Sequence, residues 1–147
     1  MRSTLFFTLS VFCSLSLHAA TFDAVADFSS TNPSGAWKYG TASPGSLGSL
    51  DAQFTLLPTY QAACATGSGF QGDCWLGGPS VIRANGAFSS GTVNFLPTHL
   101  TLHPAADQNL AIVAFTAPTS DIYNFNGDFI DLDTVGGTGV GVHAVLG

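Results

Sequence analysis

The chain has 147 residues, of which 46% are hydrophobic and 8% are charged, and its formal net charge at pH 7 is -6. This length fits one domain, and a charged fraction far below the roughly 25% of ordinary soluble proteins leaves solubility to Ser, Thr, Asn, Gln and Gly. Nucleic acid is excluded as a partner, because its phosphates require clustered cations and the chain after residue 20 offers only Lys38 and Arg83.

The first twenty residues have the layout of a secretory signal peptide. Arg2 precedes an apolar run from Leu5 to Leu17, and Ala19 and Ala20 follow it. The run is shorter than the roughly 20 apolar residues that a membrane span requires. We therefore expect residues 1–20 to be removed and residues 21–147 to form one secreted or cell-surface domain, with no membrane span in this chain.

Short β-like runs follow one another after the signal peptide, and Gly or Pro interrupts almost every candidate helix. Two segments rich in Gly, Ser and Ala, residues 41–50 and 59–78, are predicted to be surface loops. The spacing of the runs favours an all-β fold, a jelly-roll-like antiparallel β-sandwich. The predicted strands are Thr21–Phe28, Trp37–Tyr39, Ala52–Leu57, Ser80–Ala84, Gly91–Phe95, His99–Leu102, Leu110–Ala117, Ile122–Phe129 and Val140–Leu146.

Two consecutive runs near the C-terminal end carry the clearest strand pattern. Residues 110–117 are almost all apolar and end at Pro118, which is typical of a strand buried on both faces. Residues 122–129 alternate, with Tyr123 and Phe125 on one face and Asn and Asp side chains on the other. The pattern predicts an antiparallel hairpin of these two strands.

Cysteine usage agrees with export. Removal of the signal peptide takes away Cys13 and leaves Cys64 and Cys74. In an oxidising compartment we expect these two to form a disulfide, which would stabilise the fold by roughly 2–3 kcal/mol. Free or metal-bound thiols are the alternative.

Several motifs of the chain follow one another in an order that is characteristic of a known family. They are Ala26-Asp27-Phe28-Ser29, Asn32-Pro33-Ser34-Gly35-Ala36-Trp37-Lys38-Tyr39-Gly40, Leu102-His103-Pro104, Ile112-Val113-Ala114-Phe115-Thr116-Ala117-Pro118, Tyr123, Phe129-Ile130-Asp131-Leu132-Asp133 and Val142-His143-Ala144-Val145-Leu146-Gly147. Together they resemble exported bacterial proteins that carry a PEP-CTERM sorting signal, and the resemblance extends over essentially all of the chain after the signal peptide. It implies an exported jelly-roll-like β-sandwich associated with exopolysaccharide, without established enzymatic activity.

Two features depart from that family. Its members usually continue into a Val-Pro-Glu-Pro-like motif, an apolar span and an arginine cluster, whereas this chain ends at Gly147. This leaves open that the domain is truncated at its C-terminal end, which would expose a sheet edge. Ala114 stands where an arginine is common, so a site that needs that cation is not implied here.

Four aromatic residues are candidates for carbohydrate binding, because a ring stacks on the apolar face of a sugar while nearby amides and carboxylates bind its hydroxyls. Trp75 is the first of them, since it follows Cys74 in a Gly-rich segment that is predicted to be a loop. The alternative is that these rings belong to the core. The candidates are Trp37, Tyr39, Tyr60 and Trp75.

Oxygen-bearing side chains suggest a structural calcium ion, which takes six to eight oxygen ligands and commonly braces exported β-proteins. Asp131 and Asp133 would point to the same side of an extended segment. The alternative is a set of solvated turns, since EF-hand spacing is absent. The candidate ligands are Asp27, Asn32, Asp131 and Asp133.

The sequence argues against an enzyme. It contains no Glu, the commonest acid and nucleophile of glycosidases, and no G-x-S-x-G elbow supports a hydrolytic role for His99, His103 or His143. We therefore expect a non-catalytic exported surface or matrix protein with a carbohydrate-binding β-sandwich, which needs no cofactor apart from the calcium ion considered above. A purely structural or adhesive surface protein is the alternative, followed by a hydrolase that uses an Asp pair or a histidine.

Overall fold

The computed structural model describes residues 20–46, 53–64, 71–133, 135 and 143. These residues form antiparallel β-sheets, which confirms the all-β class. No helix among them is long and apolar enough to cross a membrane. Their elements are β1 (Trp37–Ala42), a 3-10 helix (Pro44–Ser46), β2 (Thr55–Leu56), β3 (Thr59–Gln61), β4 (Gly72–Leu76), β5 (Ser80–Ala84), β6 (Phe88–Ser90), β7 (Val93–Phe95), β8 (Leu100–His103) and β9 (Leu110–Phe115).

The strands form two sheets and a separate hairpin. The first sheet has the order β2-β1-β9, the central sheet has the order β3-β4-β5-β8, and the hairpin consists of β6 and β7. Strand β9 pairs with β1 along its full length, so that Trp37 lies opposite Phe115 and Ala42 lies opposite Leu110. The first sheet therefore joins two segments that are more than sixty residues apart in the sequence.

The central sheet is covered on both faces, because successive side chains of a strand point to opposite sides. One face meets the first sheet in an aromatic core of Phe28, Tyr39, Leu57, Trp75 and Val81. The other face meets the β6–β7 hairpin in a disulfide core of Cys64, Cys74, Ile82, Ala84 and Phe95. Each large apolar side chain that is fully buried in such a core stabilises the fold by about 1.5–3 kcal/mol.

An asparagine joins the chain before β1 to the strand itself. The side chain of Asn32, which precedes a cis proline, accepts a hydrogen bond from the Tyr39 amide (3.0 Å) and donates to the Tyr39 carbonyl (2.7 Å). It also donates to the carbonyl of Leu57 (3.3 Å). Asn32 thus satisfies backbone groups as a neighbouring strand would.

The close approach of Phe54 explains a glycine in β1. A Cβ atom on Gly40 would overlap the Phe54 ring and would lie 2.8 Å from the carbonyl oxygen of Thr55. No side chain fits at that separation, so this position requires glycine for packing rather than for backbone conformation.

Two local predictions were wrong. Residues 21–28, predicted as a strand, contain a turn in which the Asp23 carboxylate accepts hydrogen bonds from the amides of Val25 and Ala26. Aspartate favours such turns because its short side chain bonds its own backbone. Residues 59–78, predicted as a loop, contain β3 and β4. Cross-strand packing outweighs the weak local strand propensity there.

The predicted hairpin of residues 110–117 and 122–129 does not form. Strand β9 is present, but its sheet partner is β1, and residues 122–130 have no strand assignment. The Tyr123 hydroxyl lies 3.0 Å from the Thr119 hydroxyl and donates to the Thr119 carbonyl (3.1 Å), which closes a loop immediately after β9. Further along, the segment contacts strand β7 of the hairpin, where the backbone amide of Asn94 donates a hydrogen bond to the carbonyl of Leu132.

Predictions at the two ends of the chain lie outside the described residues. This applies to the signal peptide, of which only Ala20 is described, and to the strand Val140–Leu146, of which only His143 is described.

Candidate functional site

Trp75 lies in the centre of the aromatic core. It belongs to β4, its side chain is 6% exposed, and its indole nitrogen donates a hydrogen bond to the carbonyl of Ser29 (2.9 Å). Its ring stacks on Tyr39 at 6.3 Å between centroids. The expectation of an exposed Trp75 in a loop was wrong, because strand pairing with Tyr60 and Val81 places the ring between the two sheets.

The two candidate tyrosines line the same core. Tyr39 is fully buried, and burial raises the pKa of its hydroxyl. Tyr60 is half-buried against Trp75, with 5.4 Å between ring centroids. Burial also raises the pKa of Tyr60, and the Asp73 carboxylate adds to that rise. Both rings pack in or against the aromatic core, and neither lines the Trp37 pocket described below.

Arg83 is held at the margin of the aromatic core. Its guanidinium forms an ion pair with Asp73 (2.6 Å) and donates to the carbonyl of Phe28 (3.3 Å). It also lies over the Phe28 ring, 5.2 Å from the centroid. The guanidinium is thus engaged by Asp73 and Phe28, and these contacts leave it poorly placed to bind an anionic ligand.

Trp37 occupies a different environment at the beginning of β1. Its side chain is half-buried, and its indole nitrogen donates a hydrogen bond to the Asp27 carboxylate (3.1 Å). The ring lines an open surface depression of about 390 Å³, which we call the Trp37 pocket. Its lining consists of Thr21, Phe22, Asp27, Ser34, Gly35, Ala36 and Trp37.

Further aromatic rings extend from the Trp37 pocket. Phe115 makes edge contacts with Phe22 (5.1 Å between centroids), Trp37 (5.2 Å), Tyr123 (5.5 Å) and Phe125 (5.5 Å). Phe125 is 65% exposed. None of these four phenylalanine and tyrosine side chains was predicted to belong to a site, although the alternation in residues 122–129 placed Tyr123 and Phe125 on one face.

The carboxylate in the pocket is fixed in position and retains binding capacity. One oxygen of Asp27, Oδ2, accepts hydrogen bonds from Trp37 and from the amide of Asp23 (3.0 Å). The other oxygen, Oδ1, has no hydrogen-bond partner within the described part of the chain. A ligand with a hydroxyl or ammonium group could therefore bind Asp27 without displacing its present contacts.

The four predicted calcium ligands have separate structural partners. Asp27 bonds Trp37, whereas the amide of Asn32 is fully engaged by the backbone of Tyr39 and Leu57. Asp131 and Asp133 accept hydrogen bonds from the amides two residues further along, and a hydrogen bond from the Thr92 side chain lowers the pKa of Asp133. Within the described ranges no three His, Cys, Asp or Glu side chains form a group that could hold a metal ion.

The disulfide between Cys64 and Cys74 is present, as predicted. The two Cα atoms are 5.9 Å apart, within the usual range. Both cysteines are buried in the disulfide core, so the bond ties the chain after β3 to the middle of the central sheet.

The histidines considered for hydrolysis have ordinary surface partners. The His99 ring lies 2.9 Å from the Thr98 hydroxyl and 3.9 Å from the Asp128 carboxylate. His103 ends β8 and His143 is also exposed.

Comparison with known proteins finds no matching family model, no matching curated protein and no matching solved structure. The resemblance to PEP-CTERM proteins stays a prediction from the motifs.

Proposed function

We propose that this chain is a non-catalytic, exported surface or matrix protein that binds polysaccharide in the Trp37 pocket. Its two facing sheets are then the scaffold of a jelly-roll-like sandwich, as in the PEP-CTERM proteins that it resembles. The observation that carries the proposal is the half-buried Trp37 ring that lines an open pocket beside a fixed carboxylate.

The pocket offers both kinds of contact that a sugar requires. Trp37 and Phe22 supply aromatic surface for the apolar face of a pyranose ring, and Asp27 Oδ1 can accept a hydrogen bond from a sugar hydroxyl. Ser34 and Thr21 add hydroxyl groups to the lining. This moves the binding role from Trp75, which the sequence favoured, to Trp37.

The aromatic surface is already in position without a ligand. The bond to Asp27 and the edge contact with Phe115 fix the Trp37 ring, and β1 is held by β9 along its full length. Binding therefore loses little side-chain entropy, which favours measurable affinity at a small site.

The two tryptophans allow a direct test by fluorescence. We expect a saturable change on titration with polysaccharides and soluble oligosaccharides. Because Trp37→Ala removes the fluorophore together with the site, we expect isothermal titration calorimetry to show that this variant no longer binds, while the fluorescence of the buried Trp75 reports a folded protein. Leu102→Ser, at a 36% exposed position in β8, is the matched control and should bind normally. Intact mass of the secreted protein would show whether cleavage follows Ala19 or Ala20.

Two results would contradict the proposal. One is binding that survives Trp37→Ala unchanged, which would place the ligand elsewhere. The other is the absence of binding to every polymer by a folded sample of the expected mass.

A structural or adhesive role is the second candidate, and a different region supports it. Large apolar side chains of the segment after β9 are exposed, with Ile122 at 88%, Phe129 at 65% and Ile130 at 47%. Exposed apolar surface of this kind is typical of interaction sites. The adhesive role predicts that Ile122→Ser with Phe129→Ser reduces self-association in sedimentation velocity and leaves glycan titrations unchanged.

A further inference from the structure

The charges around the Trp37 pocket have one sign. Asp27 lines it, and Asp23 is hydrogen-bonded to Asp27 through its backbone amide. Both side chains are exposed. A ligand in the pocket therefore meets the Asp27 carboxylate, and the carboxylate of Asp23 belongs to the adjoining turn.

The two cations of the described chain, Lys38 and Arg83, do not offset these carboxylates. Lys38 follows Trp37 in β1, so its side chain leaves the strand on the opposite face. Arg83 is engaged by Asp73 and by the carbonyl of Phe28. The pocket is thus an aromatic surface in a negative electrostatic environment.

We infer that the ligand of the Trp37 pocket is a polysaccharide whose sugars carry free amino groups. The inference rests on the proposed function, because it specifies the charge of the glycan that the pocket binds. A protonated amine can donate to Asp27 Oδ1, the oxygen without a partner among the described residues. The Trp37 ring beside Asp27 supplies the aromatic surface on which the sugar that carries the amine would stack.

Other glycans cannot form this charge-assisted hydrogen bond with Asp27. An N-acetylated sugar can still stack on Trp37, but its amide carries no charge to pair with Asp27. A uronate or sulfated polymer brings a like charge toward Asp27 and Asp23, which is unfavourable, most of all at low salt. The expected order of affinity is amino sugar, then neutral sugar, then anionic sugar.

The test compares matched oligosaccharides on the folded secreted chain. Oligomers of glucosamine, N-acetylglucosamine and galacturonate of equal length are titrated at low salt and at about pH 5.5, where aspartate is ionised. We expect Asp27→Asn to weaken glucosamine binding roughly three- to fivefold more than it weakens N-acetylglucosamine binding, because both sugars lose the hydrogen bond to Oδ1 and only glucosamine also loses one exposed ion pair. The asparagine oxygen can still accept the hydrogen bond from Trp37, which near-UV circular dichroism would verify.

Asp107→Asn is the control for general attraction between an acidic protein and a cationic sugar. Asp107 lies in the turn before β9, beyond the end of the first sheet opposite to Trp37. Asparagine can also keep its hydrogen bond with the amide of Asn109. The control removes the same charge and should retain wild-type affinity.

The outcomes separate the inference from the proposed function. Equal affinity for the amino and acetylated oligomers, both lost in Trp37→Ala, would overturn the amino-sugar inference and support glycan binding. Equal weakening by Asp27→Asn and Asp107→Asn would also overturn it, since attraction would then be nonspecific. Binding of no oligomer by the folded protein would overturn both.

Discussion

The two tryptophans of the chain are alike in chemistry and differ in burial. Each lies in a strand, Trp75 in the aromatic core and Trp37 against its margin, and each donates its indole hydrogen. The acceptor of Trp75 is the Ser29 carbonyl inside the aromatic core, whereas that of Trp37 is the carboxylate of the exposed Asp27. The difference comes from position, since Trp75 lies in the central sheet and Trp37 lies where β1 begins beside an open pocket. Ring type therefore does not distinguish a core tryptophan from a binding one.

The largest expected effect is on stability at Trp75. Trp75→Ala removes the ring that Tyr39 and Tyr60 contact and leaves a cavity, so we expect a loss of about 3–5 kcal/mol in the free energy of unfolding. Trp37→Ala removes a half-buried ring and should cost less than about 2 kcal/mol. Urea unfolding followed by circular dichroism measures both. Equal losses would mean that the two environments do not differ as described.

The next largest expected effect is on stability at Asn32, whose side chain bonds the backbone of Tyr39 in the aromatic core. Asn32→Ala removes its side-chain hydrogen bonds to the backbone of Tyr39 and Leu57, and the remaining backbone groups are part-buried. We expect a loss of about 1–3 kcal/mol. Asn126→Ala, at an exposed position, is the matched control and should change stability by less than about 0.5 kcal/mol. A loss at Asn32 no greater than the control would show that these hydrogen bonds contribute little.

The parts of the fold that the sequence predicted are those set by local pattern. Ser80–Ala84 has the predicted bounds, and β9 covers most of the apolar run 110–117. The disulfide prediction followed from two cysteines in a chain that is predicted to be exported. Each of these predictions needs only information within a few residues, or the number of cysteines.

The remaining features depend on contacts between distant segments. The partner of β9 is β1, and a local pattern carries no information on which strand will pair with which. Strand β4 escaped prediction because its Gly-rich surroundings are typical of a loop, while its burial comes from Tyr60 and Val81 on neighbouring strands. The predicted strand over residues 21–28 did not include the turn that brings Asp27 to Trp37. Without that contact, Asp27 was interpreted as a calcium ligand.

The smallest effect tests how fully the aromatic core excludes water. The Tyr39 hydroxyl is buried without a hydrogen-bond partner in the described structure. Burial raises its pKa above the ordinary value of 10.0, and the nearby Ser29 backbone offsets only part of that rise. An unpaired buried hydroxyl destabilises the folded state. We therefore expect Tyr39→Phe to keep the ring contacts and to raise the free energy of unfolding by up to about 1 kcal/mol at neutral pH.

The pH dependence of the same variant follows from the raised pKa. A group whose pKa is higher in the folded state favours folding below its unfolded pKa, and this contribution is lost as the pH rises from about 10 toward the folded value. Wild-type stability should thus fall in this alkaline window because the unfolded chain ionises Tyr39 first, and Tyr39→Phe should fall less. Urea unfolding at about pH 7 and about pH 10.5 measures the difference. The opposite result would be a variant that is less stable at neutral pH and loses as much free energy of unfolding as the wild type at alkaline pH. It would show that water or a protein group bonds the hydroxyl, so that the core around Trp75 is open to water like the Trp37 pocket.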